Sequence, residues 1–491
     1  MKPASEQAEI LAEIQDLENS VQGLADNYRL VDRLGEGTFS SVYKAEDLAY
    51  ETHLNSYWLG HHPPWSSAHY QTLPPQKDGR GKAYVAIKRI YVTSSPTRIE
   101  NELLIMEELR GCRHVAQLMT AFREEDQVVA IMPFHRNQDF RSFYRVLPLP
   151  KMRNYFRCLF RALRDIHARH IIHRDVKPAN FLFDPVAEVG TLCDFGLAQR
   201  TSSPAHPKCL HSSPTFEHPH GRFSWQETNG QRSDKLAKAK QQFLNAPKRI
   251  AQGPEKIGYP TQDERPAVRA NRAGTRGFRA PEVLLKCPDQ TVAIDVWSAG
   301  VILLSFLTGK FPVFNSNDDV EALMEIAAIY GKDAMAKCAF LHNRTFLTNV
   351  PSVDHGGTPL ADLVRKMNPS LFASSEVDQK LLAAALDLLP KLLHLDCTHR
   401  VTAEKALEHP FLVDMETPEY TVVPHIIGHG VCGLAHWQDD MDESHCIRVD
   451  GKVIHLRAGE GIPIGEEPCE IHKLKGWTDE GPGSDHGRYD M

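Results

Sequence analysis

The chain has 491 residues, 42% of them hydrophobic and 24% charged, which is ordinary globular usage and excludes wholesale disorder, collagen-like and coiled-coil architectures. At ~100–200 residues per domain, it has room for an enzyme core of more than one packed unit. Lys and Arg total 56 against 63 Asp and Glu, a net charge of −7. No global basic field therefore advertises direct binding to nucleic acid. No apolar stretch reaches the ~20 residues that span a bilayer, and the charged first 22 residues lack a signal-peptide core, so a soluble, intracellular protein without a membrane partner is expected.

In chain order, Ile10, Leu11, Ile14, Leu17, Val21 and Leu24 recur at helical spacing, which predicts an amphipathic helix within residues 1–27. Residues 28–139 read as a small β-rich lobe. Two strands flank a Gly-rich turn from Tyr28 to Val42, an insertion interrupts at about 47–82, and alternation resumes at Tyr84–Ile90. A helix follows over Arg98–Arg110, then two strands within Val115–Met132 joined by the polar turn Arg123–Asp126. Residues 140–412 read as a larger helical lobe. Tyr155, Leu159, Leu163 and Ile166 share one helix face, and further helices fall at Ile294–Leu307, Asp318–Tyr330, Val377–Leu393 and Ala403–Leu407. The fold class is thus α+β, bilobal, interrupted by inserts. Thr201–Ala273 is too poor in aliphatic residues to offset ordering entropy, so an insert over about 201–271 is expected to be mostly disordered, with one helix at Asp234–Leu244. Residues 413–491 form a tail in which Ile447–Ile454 alternates about Asp450-Gly451, a hairpin signal.

Ten cysteines include no Cys-x-x-Cys pair, which fits reduced, dispersed thiols rather than a disulfide framework. The His and Cys positions between 206 and 220 and between 432 and 472 lack the tight pairs of a structural zinc site.

Chemistry concentrates in two places. Gly35-Glu36-Gly37-Thr38-Phe39-Ser40-Ser41-Val42 lies between two strands, where glycines let backbone N–H groups approach phosphate oxygens, although Ser40 stands where a third glycine is usual. Downstream, Val85-Ala86-Ile87-Lys88 puts a Lys on a buried strand, which is costly without an anion, and Glu102 on the next helix is its candidate partner. That pair would hold an ammonium toward nucleotide phosphates. In the second lobe, His173-Arg174-Asp175-Val176-Lys177-Pro178-Ala179-Asn180 precedes Asp194-Phe195-Gly196. Phosphoryl transfer needs positioning and charge: Asp175 to take the proton of the attacking hydroxyl, Lys177 to neutralise the moving phosphoryl, and Asn180 with Asp194 to hold Mg²⁺.

From about Leu30 to Leu412 the chain resembles the eukaryotic protein kinases, a match extended by Ala280-Pro281-Glu282, Asp295-Val296-Trp297-Ser298-Ala299-Gly300, Asp396, Arg400 and His409-Pro410-Phe411. The resemblance implies ATP and Mg²⁺ as cofactors, an ion pair between Glu282 and Arg400, and Asp295 bracing the catalytic loop. It also implies an adenine pocket with Met132 at its back and Pro133, Phe134 and His135 as its hinge, beneath Gly35, Gly37, Ser40 and Val42. Arg98-Ile99-Glu100-Asn101-Glu102-Leu103, Asp194-Phe195-Gly196-Leu197-Ala198-Gln199 and Arg272-Ala273-Gly274-Thr275-Arg276-Gly277-Phe278-Arg279 look like the cell-division-cycle-seven type, the DDK catalytic subunit that promotes origin firing. The long stretch between Gly196 and Ala280 fits that type as well.

This closer resemblance implies an activating regulatory subunit, MCM helicase tails as substrates, and a nuclear location. Arg232, Lys235, Lys238 and Lys240, followed by Lys248-Arg249, fit either a two-part nuclear import signal or a solvated basic face. It places Thr275 against Asp175 or Lys177 and makes Arg272, Thr275, Arg276 and Arg279 the substrate-recognition candidates. Arg265 to Pro281 carries five arginines and no acid, so an acidic residue after the phosphoacceptor is expected to be preferred. The alternatives are a cyclin-dependent- or casein-type kinase and a pseudokinase scaffold.

Overall fold

The computed structural model describes residues 2–37, 40–50, 82–91, 95–109, 112, 114–201, 257–258, 270–342, 344–373 and 376–413, and the strands within 436–490. The expectations for 51–81, for the helix at Asp234–Leu244 and for the basic positions from Arg232 to Arg249 lie outside the described residues. Two compact units divide at Asn137/Gln138, and Gly190–Gly196 belongs with the first.

In the first unit five antiparallel strands lie in the order β1-β2-β3-β5-β4: β1 Tyr28–Glu36, β2 Ser40–Asp47, β3 Tyr84–Ile90, β4 Thr120–Glu124 and β5 Gln127–Pro133. Strict alternation makes β2 a half-buried strand, with Tyr43 and Ala45 inward. Helix α1 (Ala4–Ser20) lays Ile10, Ile14 and Leu17 into the same core as Tyr43, Ala45, Val85, Ile87, Val129 and Ile131. Polar contacts fix its rotation: Glu13 accepts from Arg33 at 2.6 Å and from the Tyr43 hydroxyl at 3.1 Å, and Arg89 pairs with Asp16 at 2.8 Å. Helix α2 (Pro96–Glu108) begins earlier than the apolar pattern predicts, because the Ser95 side chain caps the Arg98 N–H and Pro96 suits the first turn. The expected strand from Val115 starts only at Thr120. Val115 instead bridges Leu192, and the Ala116 N–H donates to the Leu192 carbonyl at 2.8 Å.

The second unit is built on α3 (Leu149–Ala168) and α4 (Ala293–Thr308). Every residue of α4 is buried, which makes it the central post of the unit. Gly300 in α4 has no room for a Cβ, which would come within 2.8 Å of Leu393. Around it run α5 (Asp319–Tyr330), α6 (Lys332–Leu341), α7 (Leu360–Met367), α8 (Glu376–Leu392) and α9 (Ala403–Leu407). The sequence reading did not predict α6 and α7. Helix α7 buries only Leu360 and Val364, too few positions to register as a period.

The tail hairpin forms with Val449 opposite Lys452, and strands His436–Gln438 and Arg488–Asp490 extend it to four. Among the described residues, Cys112, Cys158, Cys287, Cys338 and Cys397 are buried, and no helix is long and apolar enough to cross a membrane.

Candidate active site

Sheet register builds the first cluster. Pairing of β2 with β3 sets Val42 opposite Lys88, and pairing of β3 with β5 sets Lys88 opposite Ala130 and Ala86 opposite Met132. Gly35 faces Val42 across β1 and β2, and the Gly37 N–H closes the turn on the Ser40 carbonyl at 2.8 Å. Thr38 and Phe39 lie outside the described residues.

Lys88 is 6% exposed; its Nζ donates to Glu102 Oε1 at 2.5 Å and to Asp194 Oδ1 at 3.1 Å. Burial disfavours the ammonium, but the two carboxylates outweigh it and hold Lys88 above its ordinary value. Arg98, one turn before Glu102 on α2, donates through Nε to the Gly196 carbonyl at 2.8 Å, fastening that helix to Asp194-Phe195-Gly196. Phe195 is fully buried, and Asp194 adopts a left-handed φ of 65°. At the expected hinge, burial pushes His135 down to about 4, so its ring is neutral at physiological pH.

The second cluster surrounds Asp175. Its Oδ1 accepts from the Thr275 N–H and hydroxyl, both at 2.7 Å, and its Oδ2 accepts from Lys177 at 2.7 Å and from the Asn180 amide at 3.1 Å. Burial raises the Asp175 carboxyl, but the bonds from Lys177 and Thr275 prevail and keep it below the usual carboxylate value. Lys177 also donates to the Thr275 hydroxyl at 2.9 Å, so Thr275 meets both expected partners. Asp295 braces the loop from α4, accepting from the backbone N–H of His173 at 2.8 Å and of Arg174 at 2.9 Å, and from the His167 ring. Gly274, at φ 104°, lies so close to the Arg174 carbonyl that a Cβ would come within 2.3 Å. Only glycine fits both the torsion and the gap.

Asn180 turns its amide N–H group toward Asp175, and the Asp194 side chain is 48% exposed. Both offer oxygen donors of the kind a hard cation such as Mg²⁺ takes.

The protein kinase domain family matches residues 76–221 and 258–412. Cell cycle serine/threonine-protein kinase hsk1 of Schizosaccharomyces pombe is 44% identical over 82% of this chain and 75% of its own length. A probable cell division control protein 7 homolog of Encephalitozoon cuniculi is 36% identical over 80% and 93%, and the human cell division cycle 7-related protein kinase is 28% identical over 83% and 93%. This chain belongs to the protein kinase family. Within it, the chain is a cell-division-cycle-7-type serine/threonine kinase.

The arginines before Ala280, expected from the sequence to contact substrate, meet an acid supplied by another element. No acid occurs among them in sequence, yet Arg272 and Arg279 each reach Asp319 at 2.8 Å, and Arg276 lies 3.7 Å from the same carboxylate. Asp319 opens α5, and Asp318 caps that helix by accepting from the Val320 and Glu321 N–H groups. Three guanidinium groups thus converge on one carboxylate. Arg272 and Arg276 are 50% and 38% exposed, whereas Arg279 is 18% exposed and also bonds the Gly274 carbonyl. Sequence reasoning missed Arg98, Asp319 and Gly274 as site residues. For Asp319 the only signal was its position at the start of a capped, predicted helix.

Proposed function

We propose that this kinase is the catalytic subunit of a DDK-type complex, transferring the γ-phosphoryl of ATP to Ser or Thr in acidic segments such as the tails of MCM helicase subunits. The observation that carries the reading is the Asp175 carboxylate, fixed by Thr275 and Lys177 and kept ionised, as a proton acceptor for a hydroxyl must be. Lys88, locked by Glu102, orients the nucleotide phosphates. Lys177 offsets charge on the moving phosphoryl, while Asp175 takes the proton from the acceptor oxygen. Asn180 and Asp194 would hold Mg²⁺, which would supply charge neutralisation on the phosphates. Gly35, Gly37, Ser40 and Val42 cover the nucleotide, and Met132, Phe134 and His135 line the adenine end.

The exposed arginines clustered at Asp319 support preference for a carboxylate or phosphoserine just after the acceptor. A partly desolvated contact of ~1–2 kcal/mol corresponds to roughly a five- to thirtyfold preference in kcat/KM. The test is a peptide series Ser-Asp, Ser-Ala, Ser-Pro and Ser-Lys, run at two salt concentrations on wild type and on Arg272→Ala. Ser-Asp should lead and lose its lead in the variant; a flat ranking or a Ser-Pro preference would favour a proline-directed kinase instead. The occupation of Thr275 by Asp175 and Lys177 supports activation by a regulatory subunit rather than by phosphorylation of Thr275. A nuclear location rests on the basic positions from Arg232 to Arg249 and is tested by imaging the chain with Lys248→Ala and Arg249→Ala.

A further inference from the structure

Arg174 precedes the catalytic Asp175 and is 6% exposed, in a left-handed backbone conformation with φ 72°. Its backbone N–H is held by Asp295, but among the described residues no carboxylate lies within ion-pair reach of its guanidinium, and its Nε is buried without a hydrogen-bond partner. The group that meets it is neutral: Nη1 donates to Gln290 Oε1 at 2.7 Å. The amide nitrogen of Gln290 donates in turn to the carbonyls of Asn271 and Cys287, both at 2.8 Å. Asn271 continues the chain of contacts, since its Nδ2 donates to Gln199 Oε1 at 3.0 Å and its Oδ1 accepts from the Ala273 N–H at 2.9 Å. One glutamine thus joins the catalytic loop to the segment that carries Thr275, and through Asn271 to Gln199, which follows Asp194-Phe195-Gly196. Consistent with a guanidinium left without a counter-charge, burial brings Arg174 down to about 10, opposed only by the more distant Asp295.

We propose that Gln290 is a positioning residue that stands in for an activating phosphate: an uncharged clasp that holds Asn271 to Thr275 against Asp175 without covalent modification. A phosphate would satisfy Arg174 by charge and would come and go with a modifying enzyme. The Gln290 amide satisfies it by geometry and is permanently present, so control of this kinase falls on other elements. The Cys287 carbonyl and the Arg174 guanidinium fix the two ends of that amide, which leaves one rotamer and hence one position for the Asn271 carbonyl.

The test uses the full chain, phosphatase-treated, as wild type, Gln290→Met, Arg174→Met and the double variant; methionine keeps the volume and removes the hydrogen bonds. In Gln290→Met, hydrogen exchange of the amides from Asn271 to Arg276 should rise at least ~tenfold, with the melting temperature within ~3 °C of wild type. Its kcat should fall ~10–100-fold while KM for ATP stays within ~twofold. Because Arg174 and Gln290 act as one device, the double variant should be no worse than the poorer single variant. Unchanged exchange in Gln290→Met, additive losses in the double variant, or loss of wild-type activity on phosphatase treatment would each overturn the proposal. Absence of transfer by every form would reflect the regulatory subunit that the proposed function calls for, and the exchange measurement in Gln290→Met still decides the clasp.

Discussion

Arg400 grips both carboxylate oxygens of Glu282, at 2.6 and 3.0 Å, and neither side chain has any exposed surface. The same guanidinium donates to the carbonyls of Ala293 and His394 and lies over the Trp297 ring. The pair therefore ties the residues after the Thr275 segment to the start of α4 and to the turn after α8. Removing one partner strands a buried charge, so Arg400→Met or Glu282→Gln should each cost about 3–5 kcal/mol. Urea melts followed by tryptophan fluorescence would check this; a loss below ~1 kcal/mol would contradict the assigned role.

Lys88 has two carboxylate partners, and replacing it by Met should lower kcat by about two orders of magnitude or more, the scale of losing one preorganised charge contact. Glu102 would then be left buried without its cation, so a modest loss of stability should accompany the kinetic defect. Lys88→Arg keeps the charge but not the compact ammonium, and should restore stability better than turnover. Retention of half the wild-type rate by Lys88→Met would refute the role given to this lysine.

The pH dependence follows from Asp175. Because its folded value lies below the ordinary carboxylate value, the stability it contributes is fully present above that ordinary value and is lost as pH falls through the lower folded one. The acid limb of kcat/KM should therefore lie below the range of an unperturbed carboxylate. Lys177→Met removes a hydrogen bond and a positive charge while burial persists, so the limb should move to higher pH along with a fall in rate. A rate loss with an unmoved limb would mean that Lys177 does not set the state of Asp175.

Two glycines should answer differently to alanine. At Gly274 the added Cβ meets backbone and the torsion is left-handed, so Gly274→Ala should displace Thr275 and cost ~tenfold or more in kcat. At Gly35 nothing among the described residues lies within 4 Å of the added atom, so Gly35→Ala should leave the melting temperature within ~2 °C. Equal behaviour of the two variants would count against the close approach at Arg174.

The catalytic motifs were legible because their chemistry demands particular residue types at short spacing: Asp175, Lys177 and Asn180 lie within six residues, and all meet around one carboxylate. Strands β2 and β3 were legible from the residue types flanking the Gly-rich turn and preceding Lys88. Asp319 was not, since forty residues separate it from Arg279 and only the packing of α5 returns it. Gln290 gave no signal either: an uncharged amide in a loop has no periodicity and becomes meaningful only when a buried guanidinium is seen to end on it. Helix α7 was hidden by how little it buries.

The kinase match begins at residue 76 and the motif pattern at about Leu30, yet the first unit acquires its outer wall earlier. Ile10, Ile14, Leu17, Val21 and Leu24 are all at 7% exposure or less against the sheet. At roughly 1.5–3 kcal/mol per buried aliphatic side chain, they contribute about as much as the ~5–15 kcal/mol by which a domain is stable at all. Cutting the chain at Tyr28 would thus keep every catalytic residue and remove five side chains from the core cluster that holds Tyr43, Val85 and Ile131. For this enzyme, the boundary of the chemistry and the boundary of the folding unit are different places in the sequence.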